Sequence, residues 1–136
     1  MATTTATITL TSDIGDNSLN ISNTATLTKA GNDTGITATT GLTRVELASS
    51  SAVTLFDMGE TTRLNPIVSG KLFIQNLNDR GDGTKYVTLL VHAVEVGRLY
   101  GGDFAFCPFN GGAGNDIILD PSDATATTME YVMFYE

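Results

Sequence analysis

Apolar and polar side chains alternate along the first part of the chain. Ala2, Ala6, Ile8 and Leu10 lie two or four residues apart, and threonine occupies every odd position from 3 to 11. The alternation returns over residues 19–28, after a segment of turn-forming residues at 12–17. A two-residue period places successive side chains on opposite faces of a β-strand. The pattern therefore predicts two strands, each with one dry and one wet face.

The second part of the chain reads as buried sheet. Residues 71–77 form one predicted strand, and a polar loop at 78–84 leads into a second, at 86–96, that is apolar on both faces. Shorter strands are predicted at 43–47, 53–56, 104–109 and 117–119, and a last one at about 125–135. No stretch keeps a helical period. The predicted fold is all-β: an antiparallel β-sandwich, jelly-roll-like, with a Thr-rich N-terminal strand pair or arm.

The two parts of the chain differ in amino-acid composition, but the difference does not indicate two domains. Of the 22 threonines, 15 precede residue 55, and all ten aromatic residues lie at or after Phe56. A length of 136 residues suits one domain with its own core. We therefore predict a single β domain over 1–136, with Thr-rich strands or an arm at 1–55 and an aromatic-rich sandwich core at 56–136. Residues 1–55 lack large side chains that could fill a core of their own, so we expect this segment to pack against another surface.

Charge narrows the classes of partner. Fifteen acidic residues against seven basic ones give a net charge of −8. This balance argues against nucleic acid and anionic membranes, which both need clustered Lys and Arg. No apolar run approaches the roughly 18–20 residues that span a bilayer. The first residues resemble no secretory signal, so synthesis in the cytoplasm of the producing cell is expected.

Candidate chemistry is sparse. His92 and Cys107 are the only histidine and the only cysteine, and His92 falls inside a predicted strand. No nucleophile, phosphate-loop or metalloprotease motif surrounds either of them, so neither an enzyme nor a cofactor is predicted. The loop that begins at Asn78 superficially resembles a calcium loop, but a cation, Arg80, occupies a ligand position. Calcium binding is left open at a second acidic group, namely Asp116, Asp120 and Asp123.

The last strand has two apolar faces and hence two interpretations. One face carries methionine and tyrosine, which are enriched at interfaces, so it is a candidate subunit contact. A central strand of the sandwich explains the same pattern equally well. With the two large apolar residues of the first strand, the candidate interface residues are Ile8, Leu10, Met129, Tyr131, Met133 and Tyr135.

Three segments carry a resemblance: QNL at 75–77, GRLYGGDFAFCP at 97–108, and MEYVMFYE at 129–136. Over residues 70–136 this order of strands and turns resembles the small β-sandwich head decoration, or cement, proteins of tailed bacteriophages. The resemblance implies a virion structural protein on the outer surface of the phage head. It would bind the major capsid protein and form a homotrimer or dimer, with no nucleic acid or membrane partner. A tail, collar or fibre component and a carbohydrate-binding β-sandwich are the alternatives.

Overall fold

The computed structural model describes residues 3–14, 18–29, 31, 33–36, 38–59, 67–81 and 83–136. These residues form β-strands joined by turns and loops, and they contain no helix. The predicted antiparallel β-sandwich is confirmed. In chain order the strands are β1 (Thr5–Ser12), β2 (Leu19–Thr26), β3 (Ala38–Thr39), β4 (Thr43–Leu47), β5 (Val53–Phe56), β6 (Ser69–Asn76), β7 (Tyr86–Val91), β8 (Val94–Tyr100), β9 (Phe104–Asn110), β10 (Ile117–Pro121) and β11 (Thr127–Tyr135).

The strands form two packed sheets and a separate hairpin. Sheet I has the order β4-β11-β6-β9, with short β3 beside β4 along the same edge of β11. Sheet II has the order β5-β10-β7-β8. Strands β1 and β2 pair only with each other among the described strands, and we call them the hairpin.

Strand pairing is nested from the ends of the sandwich inward. Strand β4 pairs with β11, β5 with β10, β6 with β9, and β7 with β8, all antiparallel. Among strands β4 to β11, sheet membership alternates so that β7 and β8 are the one pair that is both consecutive and in the same sheet. Distant parts of the sequence are therefore neighbours, and the long last strand lies inside sheet I between β4 and β6.

One core fills the space between the sheets. Leu72 and Ile74 of sheet I and Ile117 and Leu119 of sheet II have no exposed surface and belong to the same cluster of buried side chains. The ring of Phe56 meets that of Tyr131 edge to face across the sheets, with centroids 5.4 Å apart. Burial of this apolar surface is the main contribution to the stability of the sandwich.

Hydrogen bonds of a buried asparagine connect the two sheets at one end of the core. Asn76 is 2% exposed, yet its amide is satisfied. Its Nδ2 donates to the carbonyl of Leu99 at 3.0 Å, which joins sheet I to sheet II, and its Oδ1 accepts from the backbone N–H of Asn78 at 3.0 Å. A buried amide without such partners would cost about 1–3 kcal/mol, so these two bonds avoid that penalty where the end of β6 meets β8.

Two predicted boundaries need correction. The strand predicted at 86–96 is two strands, because His92 and Ala93 adopt φ values of 53° and 57° and form a tight turn between them. Such turns usually carry Asn-Gly, so the His-Ala pair gave no turn signal. The division predicted between residues 55 and 56 also moves. Strands β4 and β5 belong to the sandwich, and only the hairpin stands apart.

Candidate interaction surface

The hairpin has one hydroxyl face and one apolar face. Its antiparallel register pairs Leu10 with Ile21 and Ser12 with Leu19. Directly paired residues share a face, so the apolar face carries Ala6, Ile8, Leu10, Leu19, Ile21 and Ala25, with two polar residues, Ser12 and Asn23, among them. Threonine and serine fill most of the opposite face. The alternation in the sequence thus becomes a two-stranded layer with chemically different sides.

Hydrogen bonds between side chains order the hydroxyl face. The Oγ1 atoms of Thr7 and Thr24 lie 2.8 Å apart, and Thr9 Oγ1 lies 3.2 Å from Ser22 Oγ. These bonds bridge β1 and β2 and are exposed to solvent. Exposed hydroxyl pairs contribute little to stability because water replaces them readily. They keep the face regular, but they do not bind the hairpin to the sandwich.

The base of the hairpin is anchored. The N–H of Leu27 donates to the carbonyl of Thr4 at 2.8 Å, and Leu27 and Ile36 are 5% and 4% exposed. The N–H of Ile36 donates to the carbonyl of Leu27 at 3.2 Å. Lys29 Nζ lies 4.0 Å from a carboxylate oxygen of Glu136, the last residue of the chain. The ion pair connects this base to the sandwich, because Glu136 follows directly after β11.

Beyond this base, the hairpin is only loosely packed. Within β1 only Ala6 and Ser12 are half-buried, and every residue of β2 is exposed. Ile8 retains 42% of its surface, Leu10 53%, and Leu19 and Ile21 48% each. Four large aliphatic side chains on one face thus remain about half exposed. The structure places Ile8 and Leu10 on an open surface and adds Leu19 and Ile21 to them.

A groove separates the lower half of the hairpin from the outside of sheet I. Residues 6–9 form one wall, and Phe73, Phe104 and Phe106 form the other, around a cavity of about 320 Å³. Phe73 pairs with Phe106 across β6 and β9, and its ring centroid lies 6.1 Å from that of Phe104. Phe104 is 58% exposed. The outer half of the apolar face, with Leu10, Leu19 and Ile21, lies beyond the residues that line this groove.

The methionine and tyrosine face of the last strand is not part of this surface. Met129 and Met133 have no exposed area, and Tyr131 and Tyr135 pack against the same core. Their strand is central in sheet I, so this face points toward sheet II. The interface proposed for these four side chains is therefore corrected in favour of the other interpretation, a central strand.

His92 and Cys107 lie in different settings. His92 is in the exposed β7–β8 turn, where its Nδ1 is hydrogen-bonded to the carbonyl of Gly114 and its N–H donates to the carbonyl of Asp116 at 3.0 Å. Cys107 is half-buried in β9 opposite Leu72, and burial raises the pKa of its thiol. A buried thiol with a raised pKa is a poor nucleophile at neutral pH.

Two of the three aspartates considered for calcium accept hydrogen bonds from backbone N–H groups. Asp116 Oδ1 accepts from the N–H of Met58 at 2.9 Å, and Asp123 Oδ1 accepts from the N–H of Thr125 at 2.7 Å. Asp120 lies within β10. Among the described residues, no group of three or more potential metal ligands comes together. The aspartates at 116 and 123 serve as loop-capping residues.

A second, polar depression lies near the loop that follows β6. It has a volume of about 400 Å³, and Arg80, Tyr100 and Asp103 line it together with three glycines. Arg80 donates to the carbonyl of Gly102 at 3.3 Å, and Asp103 Oδ2 accepts from the N–H of Tyr100 at 3.1 Å.

Next to this depression, Tyr86, Tyr100 and Arg98 form a cluster on the outside of sheet II. The two tyrosine rings lie 5.4 Å apart, and the Arg98 guanidinium lies 4.7 Å from the centre of the Tyr86 ring. A 3.0 Å hydrogen bond to Glu95 raises the pKa of Arg98. The cluster gives this face a polar, partly aromatic character.

No protein-family model, curated protein or solved structure matches the chain. Within the part of the chain that the structure covers, no helix is long and apolar enough to cross a membrane.

Proposed function

We propose that the chain is a virion structural protein of the capsid decoration, or cement, class, which binds the outside of a phage head and stabilises it. The observation that carries the proposal is the hairpin. It is an uncharged two-stranded layer, anchored at its base, whose apolar face is about half exposed. Exposed apolar patches of this kind mark macromolecular contacts. We interpret the hairpin as an arm.

The nested strand pairing supports the jelly-roll part of this proposal. Rolling one long hairpin with β7 and β8 at its tip produces the pairs β6–β9, β5–β10 and β4–β11, and the observed sheets contain all of them. Eight strands in two sheets wired in this way form a jelly roll, a fold common in capsid proteins. A rigid sandwich suits a protein that must withstand mechanical load without moving.

Charge supports a position outside the shell. At −8, the chain would be repelled from packaged DNA. Many identical weak contacts around the head add up through multivalency, so each one needs only modest affinity. Cementing requires adhesion and rigidity but no reaction, and we assign the chain no catalytic role.

Binding to isolated heads of the phage that encodes the chain tests this function. We expect the purified protein to co-sediment saturably with heads and to raise the temperature at which they release DNA. Replacing Ile8 and Leu10 together by alanine should weaken binding about tenfold, the effect of losing about 1.4 kcal/mol. The matched control, Thr9→Ala with Thr11→Ala, changes the opposite face of the same strand and should bind as the unmodified protein does.

The outcomes of this experiment distinguish the decoration function from the role of the hairpin as an arm. If the unmodified protein does not bind heads, the decoration function is wrong. If the unmodified protein binds and the Ile8 and Leu10 variant binds equally well, the hairpin is not the contact with the head, and the decoration function is retained. Antibody labelling of whole virions that decorates the tail, collar or fibres would replace the head assignment with that alternative.

Carbohydrate binding is a second candidate, and the Arg80–Tyr100–Asp103 depression favours it. A half-buried tyrosine beside a carboxylate and a guanidinium offers a stacking surface and hydrogen-bond partners to a sugar ring. Glycan-array binding that is lost in Tyr100→Ala would support this function. Binding that survives this substitution would place any sugar elsewhere, and no binding to the array would count against the candidate.

A further inference from the structure

The hairpin has an open strand edge on the side of β2 that points away from β1. Residues 6–9 of β1 line the groove with the phenylalanines, so the other strand of the hairpin is the one with a free side. Every residue of β2 is exposed, and among the described strands β2 pairs only with β1. We call this side of β2 the outer edge. Its backbone N–H and C=O groups have no strand beside them.

The hydrogen-bond phase of the hairpin shows which residues direct these groups outward. The N–H of Leu27 donates to the carbonyl of Thr4 at 2.8 Å, and the register places these two residues directly opposite each other. Hydrogen-bonded and non-hydrogen-bonded pairs alternate along an antiparallel ladder, and side chains approach more closely in the latter. Thr7 and Thr24, whose Oγ1 atoms lie 2.8 Å apart, form a non-hydrogen-bonded pair in this phase. The residues of β2 that point their N–H and C=O groups to the outer edge are therefore Asn20, Ser22, Thr24 and Thr26.

The edge strands of the sandwich have features that block the addition of another strand, whereas β2 has none of them. Strand β9 contains Pro108, β4 contains Arg44 and Glu46, and β8 contains Glu95 and Arg98. The pairing of β8 with β7 and that of the four-residue β5 with β10 are also irregular. In contrast, β2 is eight residues long, keeps a continuous register with β1, and contains no charged residue and no proline. Its outer edge is the one suited to strand addition.

We propose that the outer edge of β2 binds an extended strand of the partner protein, which becomes the third strand of the hairpin layer. N–H and C=O groups that recur every second residue, about 6.8 Å apart, match the backbone of another extended chain. Main-chain hydrogen bonds supply the affinity in this mode of binding, and side chains on alternate positions supply the specificity. The inference rests on the proposed function, in which the major capsid protein supplies the added strand.

The side chains of β2 specify the chemistry of that strand. Leu19 and Ile21 are about half exposed on one face, and Ser22 and Thr24 lie on the other. Because neighbouring strands pair their side chains on each face, the added strand should alternate apolar residues with hydroxyl or amide residues. Residues 17–28 contain no charged side chain, which favours an uncharged segment. Two copies of a chain with a charge of −8 repel each other, so a different protein is the favoured source.

Proline substitutions at the two members of one residue pair test the inference. Ser22→Pro removes an outward N–H from the outer edge, and Thr9→Pro removes one from the opposite edge of the hairpin, at the residue directly paired with Ser22. Neither substitution removes a hydrogen bond between β1 and β2, because the pair is of the non-hydrogen-bonded type. With isolated heads as the probe, we expect Ser22→Pro to weaken binding at least about tenfold, and Thr9→Pro to bind as the unmodified chain does.

Hydrogen exchange provides a measurement that does not depend on a substitution. When the unmodified chain is bound to heads, exchange of the Ser22 and Thr24 amides should slow at least about tenfold, because they donate to the added strand. The amides of Thr7 and Thr9, which point to the opposite edge, should keep their rates. In the free variants, slow exchange of the Ile8 amide, which points toward β2, confirms that the hairpin is formed.

The results that overturn the inference differ from those that overturn the function. Equal binding of the two proline variants, or unchanged exchange of the Ser22 and Thr24 amides on heads, shows that the outer edge is not the contact, and the decoration function is retained. An unmodified chain that does not bind heads overturns the function and the inference together. A dimer of the free chain that Ser22→Pro abolishes would identify a second copy as the source of the strand, which also contradicts the inference.

Discussion

Leu19 in the hairpin and Leu119 in β10 show how similar patterns lead to different environments. Both leucines lie in short strands with apolar residues two positions apart, yet Leu119 has no exposed surface and Leu19 retains 48% of its own. The sandwich surrounds Leu119 with a second sheet that carries phenylalanine, methionine and isoleucine. In the hairpin, Leu19 pairs with Ser12 at the outer end of a two-stranded layer and stays about half exposed. Alternation is sufficient for a strand, whereas burial also requires large side chains on a facing layer.

The largest expected difference lies between these two leucines. Leu119→Ala should lower the free energy of unfolding by about 3–4 kcal/mol, because it removes buried atoms and leaves a cavity in a close-packed core. Leu19→Ala should change it by less than about 0.5 kcal/mol, since the hairpin can open without unfolding the sandwich. Urea denaturation at concentrations where the chain is monomeric measures both. Equal losses would show that the hairpin and the sandwich unfold as one unit.

Two glycines allow the effect of an added methyl group to be compared at a crowded and at an open position of the backbone. A Cβ on Gly111 would lie 1.8 Å from the carbonyl oxygen of Ile67, whereas one on Gly83 would meet nothing within 4 Å. Gly111→Ala should therefore cost about 2–3 kcal/mol, because the backbone must move. Gly83→Ala should be neutral or slightly stabilising, since it restricts the unfolded chain. A Gly111→Ala protein with unchanged thermal stability would contradict the close approach.

A substitution in the β7–β8 turn should have a smaller effect of the opposite sign, namely an increase in stability. Ala93 has φ of 57°, a conformation that costs a residue with a Cβ more than glycine. Ala93→Gly should raise the free energy of unfolding by about 0.5–1 kcal/mol. The control is Ala52→Gly, at an exposed position where the structure shows no positive φ, and it should be neutral or slightly destabilising. If Ala93→Gly destabilises the protein instead, the turn does not have this geometry.

The smallest effect is expected on the hydroxyl face of the hairpin. Thr7→Val keeps the branched shape and removes the hydrogen bond to Thr24, which is exposed. We expect a change below about 0.5 kcal/mol in global stability and faster hydrogen exchange of the β1 amides. Ala105→Gly in β9, a half-buried position that packs against the core, provides the contrast and should cost about 1 kcal/mol. A loss above about 1 kcal/mol for Thr7→Val would mean that the hydroxyl face is part of the cooperative fold.

Sequence reasoning reached one part of the candidate surface and missed the rest. Ile8 and Leu10 were singled out by their alternation with threonine, and they lie on the open face. Leu19 and Ile21 showed the same alternation, but their position opposite Leu10 depends on the register of the hairpin. The groove phenylalanines gave no signal of their own, because aromatic residues in an apolar run predict core as readily as surface.

The amino-acid order alone determined the all-β class, most strand positions and the amphipathic character of the hairpin, because a two-residue period is a local property of the chain. Tertiary structure decided which strands are neighbours. Thr43 pairs with Tyr131 although 87 residues separate them along the chain, and this pairing encloses the last strand and directs Met129 and Met133 inward. Periodicity specifies that a strand has two faces. Which face meets the core depends on the sheet that packs against it, and that is a contact between residues far apart in sequence.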